Sequence, residues 1–224
     1  MQHDQPPFLP RPDPASAAHS ERVAEYIREQ ITEAGGSISF AEYMQHALYA
    51  PGLGYYTAGS TKFGASGDFV TAPEVSAVFG AVVARQVAEV LKQVGAGEIL
   101  EYGAGSGKLA ADVLETLQRI DALPSAYRIL EVSPDLRERQ EAYLRDRVPD
   151  LVHRVSWLDS PPTELRGAVL ANEVLDALPV ERFVRRNNGV MQQRVACADN
   201  GFELVEGGAP AQLATAVEAI ENDL

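Results

Sequence analysis

The chain has 224 residues, enough for one α/β domain with a sizeable core or one domain plus a small extension. Its formal net charge of −13 argues against binding a phosphate backbone, so no nucleic-acid partner is expected, while a basic protein substrate is compatible with it. Cys197 is the only cysteine and there are four scattered histidines, which excludes an intrachain disulfide and a cysteine-based zinc site and leaves no metal expected. No apolar run reaches the ~18 residues of a membrane span. The opening MQHDQPPFLPRPDP has neither the layout of a secretory signal nor an Arg-rich amphipathic presequence, and a cytoplasmic location is expected from that.

Residues 1–18 are polar and Pro-rich and are expected to form a loose arm. A helix is predicted from Ser20, as N-cap, to Ala34, with Val23, Ile27 and Ile31 on one stripe and Gly35-Gly36 as its stop. Ser39 begins a second helix, with Glu42 placed to complete a capping box. The glycine-rich stretch Pro51–Pro73 is too long for an incidental turn, and such loops tend to be functional. One long helix is predicted from Pro73 to Val94.

The next segment, ILEYGAGSGKLAADVL, is a strand (Glu98–Tyr102), a turn with glycines at 103, 105 and 107, and a helix carrying Leu109, Val113, Leu114 and Leu117 on one face. Strand, glycine turn and helix form the entry of a nucleotide-binding α/β unit, where glycine permits unusual backbone angles and close approach of a ligand. Lys108 stands where a dinucleotide fingerprint needs its last glycine, and Leu109 stands where a P-loop needs Ser or Thr. A second buried strand from Tyr127 ends at Glu131, 24 positions beyond Gly107, close to the roughly 20-residue spacing of a ribose-binding acid. A carboxylate there can accept from both ribose hydroxyls.

A charged helix from Ser133 or Pro134 to Arg147 follows. Strands are predicted at Val152–Ser156, with Trp157-Leu158 at its end, and at Gly167–Ala171, which leads into Asn172-Glu173. This order implies a parallel sheet with helices on its faces. Three further strands, Pro179–Arg186, Val190–Ala196 and Phe202–Val205, are separated by Asn-Asn-Gly and Asp-Asn-Gly turns and read as an antiparallel meander, with a helix from Pro210 to Asp223 after them. The organisation expected is an arm (1–18), a helical and glycine-rich lid region (19–96), and a Rossmann-like domain (97–224) carrying the meander at 179–206.

The remaining pattern, E-x-G-x-G-x-G, resembles the first motif of class I S-adenosylmethionine (SAM) methyltransferases. Together with GYYTAGSTKFGASGDFVTAPEVSAVFG (54–80) and LANEVLDALPVERF (170–183), it resembles the MidA-like methyltransferases, whose mitochondrial members are complex I assembly factors. The resemblance spans about Ser20 onward. It implies a Rossmann-like class I methyltransferase sheet, SAM as cofactor and a protein substrate; for the mitochondrial members it implies methylation of an arginine in a complex I subunit. Family members are longer, and class I enzymes have seven core strands where four are placed here. The chain is therefore expected to be a truncated piece with an incomplete sheet and an open edge.

On this resemblance Gly103, Ala104 and Gly105 line the methionine side of the cofactor, Glu101 and Gly107 also belong to the cofactor-binding set, and Glu131 holds the ribose. Trp157 or Leu158 lies near the adenine, and Asp68, Phe69 and Thr71 fold over it, with Tyr55 and Tyr56 shaping the acceptor pocket. Methyl transfer needs alignment and exclusion of water. Asn172, Glu173 and Asp176 are the expected catalytic residues, since carboxylates orient a guanidinium; if the turn after Glu173 is helical, Glu173 and Asp176 share a face. Three other readings stay open: methylation of a small molecule, a non-catalytic SAM-binding or assembly factor, and, more distantly, a dehydrogenase.

Overall fold

The computed structural model describes residues 12–58, 71–95, 97–187 and 189–223. In chain order the elements are α1 (Pro14–Glu33), β1 (Ser37–Ser39), α2 (Phe40–Tyr49), α3 (Ala72–Val75), α4 (Ala77–Val94), β2 (Glu98–Tyr102), α5 (Lys108–Arg119), β3 (Tyr127–Leu130) and α6 (Pro134–Arg147). They continue with β4 (Val155–Leu158), β5 (Gly167–Leu170), β6 (Arg182–Arg186), β7 (Gly189–Ala198), β8 (Gly201–Gly208) and α7 (Ala211–Asn222). The contacts divide the chain into two units: Met1–Ala58 with Pro179–Leu224, and Gly59–Leu178.

In the first unit α1 begins six residues before the expected Ser20, because Asp13 caps it through the amides of Ala15 (2.9 Å) and Ser16 (3.1 Å), and Pro14 suits a first helical position. Residues 14–18 are thus helical rather than part of an arm; the earlier part of that expectation lies outside the described residues. The capping box of α2 forms, with Ser39 and Glu42 bonded reciprocally. Strand β7 is the centre of an antiparallel sheet. One of its edges is shared by β6 and, further along, by β1; its other edge carries β8. Arg186 stands opposite Gly189 and Ala198 opposite Gly201, and a two-residue turn at Asp199-Asn200 closes the second hairpin. Ile27, Ile31, Ile38 and Val195 form the core, with Tyr43 packed edge-on against Phe202 at 5.6 Å.

The meander therefore groups with the first helices, through β1, and not with the parallel sheet as the 97–224 boundary supposes. Strand β1 is what the sequence reading misses: three residues whose partners stand more than 150 positions away.

The second unit is a parallel sheet in the order β4-β3-β2-β5, packed with α4, α5 and α6. The chain steps outward from β2 through β3 to β4 by helical crossovers, then returns to the far side of β2 to make β5. The order therefore reverses between β2 and β5. Register puts Ala168, Ile99, Tyr127 and Val155 in one row across the four strands, and Leu170, Glu101, Ile129 and Trp157 in the next. Both rows join the core that α4, α5 and α6 cover, so these helices lie on one face. Among the described residues nothing pairs with the outer edge of β5, where Val169 is 55% exposed.

Two other expectations shift. The helix predicted from Pro73 breaks at Ser76, whose extended backbone (φ −157°, ψ 134°) lets its hydroxyl cap α4 at Val78. The third parallel strand runs from Val155, not Val152. Val152–Arg154 form a 3-10 turn, and the apolar Leu151 and Val152 are used to dock that turn on the core.

Candidate functional site

Open α/β sheets bind ligands beyond the carboxyl ends of their strands, where the strand order reverses. Here that place is the turn after β2 and the segment after β5, with the ends of β3 and β4 beside it. A recess of about 550 Å³, lined by Glu98, Ser125, Arg128, Glu164, Leu165 and Arg166, lies instead at the amino ends of the strands, with the Arg128–Glu98 ion pair (2.8 Å) in its wall.

Gly103 (φ +60°) and Gly105 (φ +55°) carry the chain out of β2 in the left-handed region, which a side chain rarely adopts. Gly103 is exposed and offers bare backbone; among the described residues a Cβ there would meet Val174 alone, at 3.5 Å. Ala104 is buried. Gly107 (φ +83°) differs: it is buried as the N-cap of α5, and a Cβ on it would lie 3.4 Å from the Cα of Gln140 on α6. Its backbone serves helix packing. Gly107→Ala is expected to lower unfolding stability by about 1–2 kcal/mol, the cost of a left-handed non-glycine residue, read from a urea midpoint; an unchanged midpoint would contradict it.

Glu131 follows β3 and is buried, 5% exposed. One carboxylate oxygen accepts from the Ser133 amide (3.0 Å) and the other from Gln140 Nε2 (3.1 Å). Burial pushes its pKa upward, partly opposed by those two hydrogen bonds. A carboxylate offers about four acceptor positions, so capacity remains for further donors such as a diol. Glu101, by contrast, is enclosed on the covered face at 2% exposure, and Tyr127 donates its hydroxyl to it at 2.7 Å. Desolvation pushes the Glu101 pKa up to about 7. The structure thus brings Glu131 to the strand edge and holds Glu101 one layer beneath.

Trp157 is half-buried in β4, on the same face as Glu101, whereas Leu158 points to the opposite one. Arg137 ties the two strand ends together, donating Nε to the Glu131 carbonyl (2.6 Å) and a terminal nitrogen to the Leu158 carbonyl (2.7 Å), and pairing with Asp159 (2.9 Å). Lys108 donates to the carbonyls of Pro73 (2.7 Å) and Glu74 (3.1 Å), while Ser106 donates to the Glu74 carboxylate. These bonds fasten α3, which opens after Thr71, to the glycine turn. Asp68 and Phe69 lie outside the described residues. Tyr55 and Tyr56 belong to the first unit, where Tyr56 stacks on Tyr49 at 5.4 Å.

After β5, Asn172 is half-buried and Glu173 and Asp176 are exposed. Glu173 has φ +52°, one of two non-glycine residues with positive φ among those described. The 3-10 turn starts only at Leu175, so Glu173 precedes it and the helical spacing that would put Glu173 and Asp176 on one face does not form.

The arrangement of bare glycine backbone, buried carboxylate and indole, each at the end of an adjacent strand, suits a nucleoside-type group. The residues missed at the sequence level are Gln140, Arg137 and Tyr127. Gln140 was detectable: it occupies the centre of the buried stripe Leu136, Gln140, Leu144, where an apolar residue is the norm.

A family model described as "Putative S-adenosyl-L-methionine-dependent methyltransferase" matches residues 82–224. The protein arginine methyltransferase NDUFAF7, mitochondrial, of Danio rerio is 31% identical over 201 residues, covering 78% of this chain and 47% of the relative. Its Drosophila melanogaster homolog is 33% identical over 199 residues, covering 77% and 45%. A solved structure from Burkholderia thailandensis, described as a likely methyl transferase bound to S-adenosyl-homocysteine, superposes with a TM-score of 0.84 at 41% identity, covering 95% of this chain and 57% of that one. The chain spans about half the length of the curated relatives it matches. Those relatives are named as mitochondrial proteins, which overturns the cytoplasmic location drawn from missing signals. With more than half of its length matched by the family model, the chain belongs to the family of putative S-adenosyl-L-methionine-dependent methyltransferases.

Proposed function

We propose that this chain carries the cofactor-binding part of a SAM-dependent methyltransferase that modifies arginine in a protein substrate, of the complex I subunit type that the family blocks imply. The observation that carries this reading is the Glu131 carboxylate, held at the strand edge beside the exposed Gly103 backbone where the sheet order reverses. It is supported by the 41% identical structure that binds the demethylated cofactor and by the arginine methyltransferase names of the relatives.

When bound, SAM supplies an electrophilic methyl group on its sulfonium. Glu131 binds the ribose diol, and the Gly103–Gly105 backbone leaves room for the methionine portion. Asn172 and Glu173, at the exit of β5, orient the acceptor. The Glu173 carboxylate accepts guanidinium N–H groups and so favours a nucleophilic nitrogen in line with the methyl. Its left-handed backbone is the kind of strain that collects at functional sites.

The test is incubation of the purified chain with methyl-labelled SAM and cell lysate, followed by hydrolysis and separation of methylarginines. Labelled methylarginine is expected. Glu173→Gln is expected to cut transfer by about 100-fold or more while changing affinity for S-adenosyl-L-homocysteine less than about threefold. Binding without any labelled arginine would refute the arginine assignment; label in small molecules alone would replace it.

A further inference from the structure

We infer that Gln140 is the positioning residue of the cofactor site: its one amide fixes the glycine turn, the ribose-binding carboxylate and the tryptophan in a single arrangement. The inference rests on the reading of the site given above. Gln140 is fully buried in the middle of α6. Its Nε2 donates to the Gly105 carbonyl (3.0 Å) and to a Glu131 carboxylate oxygen (3.1 Å). Its Oε1 accepts from the Trp157 indole N–H at 2.8 Å.

The chemistry of the neighbours fixes the amide's orientation. An indole nitrogen only donates, while a carbonyl and a carboxylate only accept, so the flipped amide would oppose like to like at all three contacts. The three partners come from three segments: the turn after β2, the end of β3, and β4. No backbone hydrogen bond joins the Gly105 carbonyl to Glu131 or to Trp157, yet each must be placed within a fraction of an ångström for a nucleoside to meet them together. Gly107 lets α6 approach closely enough for this, since its missing side chain faces the Gln140 backbone. A buried polar side chain in an otherwise apolar stripe costs stability unless its bonds are made, and here three are made.

On α5 the buried Asp112 carboxyl, its pKa pushed upward by burial, interacts with Tyr143 of α6. Glu131 faces the Gln140 amide from the sheet, with Glu101 coupled behind Glu131. Arg137, on α6 itself, is engaged by the Glu131 and Leu158 carbonyls and by Asp159. From α5, Lys108 is engaged by the Pro73 and Glu74 carbonyls. Strand β4 carries no charge over Val155–Leu158.

The test uses two variants and S-adenosyl-L-homocysteine, titrated by calorimetry and by the fluorescence of Trp157, the only tryptophan in the chain. Gln140→Met keeps the volume and removes all three bonds. Gln140→Glu still accepts the indole N–H, but when ionised it has no proton to give Gly105 or Glu131. Gln140→Met is expected to bind at least about 30-fold more weakly than wild type. Gln140→Glu is expected to be similarly weak at pH 8 and to recover to within about threefold of wild type near pH 5, where its protonated carboxyl donates again. Circular dichroism and urea unfolding at both pH values separate this from a purely structural role, in which the loss of binding at pH 8 would follow a loss of folded protein. If wild type binds and Gln140→Glu binds equally well at both pH values, the inference fails while the cofactor reading stands. If folded wild type does not bind, both fail. Should Gln140→Met not fold, the pH profile of Gln140→Glu decides alone.

Discussion

Replacing Glu131 with alanine is expected to weaken binding of S-adenosyl-L-homocysteine by about 100-fold or more, in protein that remains folded by circular dichroism. The size follows from two hydrogen bonds from ribose hydroxyls to a charged acceptor, each contributing about 1.5–3 kcal/mol, so that their joint loss exceeds two factors of ten at ~1.4 kcal/mol apiece. The carboxylate is preorganised by Ser133 and Gln140, so little is spent on ordering it when the ligand arrives. Calorimetry of wild type and variant side by side measures the ratio. A ratio near one, with wild type binding, would remove the ribose role from Glu131.

The second large effect is on stability rather than affinity. Glu101 titrates near its ordinary 4.5 in the unfolded chain and at about 7 when buried beside Tyr127. Between those values the folded state keeps a proton that the unfolded state has lost, so unfolding free energy falls as pH rises through that window. Below it the penalty is absent, and above pH 7 it is complete. At ~1.4 kcal/mol per pH unit the loss is about 3 kcal/mol. The buried carboxyl of Glu131 is shifted in the same direction and adds to the slope. Glu101→Gln stays neutral and can still accept from Tyr127. Its advantage over wild type in urea unfolding is therefore expected to grow from near zero at pH 4.5 to its full size at pH 8. A constant difference across that range would show that Glu101 titrates alike in the folded and unfolded chain, so that burial does not raise it.

What the sequence disclosed is what local pattern encodes. The turn at 103–107 is legible because three glycines at alternate positions separate an apolar strand from an amphipathic helix. The meander is legible because Asn-Gly pairs mark two-residue turns. Glu131 is legible because the end of a buried strand is where an acid is conspicuous. The start of α1 was misread by weighing the prolines above the Asp13-Pro14 cap. The break at Ser76 hides inside a continuous apolar period, since a capping serine does not interrupt it. Strand β1 has too few residues to announce itself and exists through a pairing that no local window contains. Arg137 acts through tertiary partners and its residue type reads as solvated helix surface, whereas Gln140 betrays itself only by standing in the apolar stripe between Leu136 and Leu144. The conditional helix at Glu173 failed because one residue entered the left-handed region, a choice its composition does not betray.

The pairing of β1 with β7 also sets an order of events at the ribosome. Ile27, Ile31 and Ile38 are synthesised early, but Val195, which completes their cluster, is made only after the whole parallel-sheet unit. At ~5–20 residues per second that interval is of the order of ten seconds. Throughout it the first helices lack their sheet, and before it ends the segment behind them has every strand of its own. The second unit can thus finish first, and the earliest-made residues are among the last to settle, with their apolar stripe open to chaperones in the meantime.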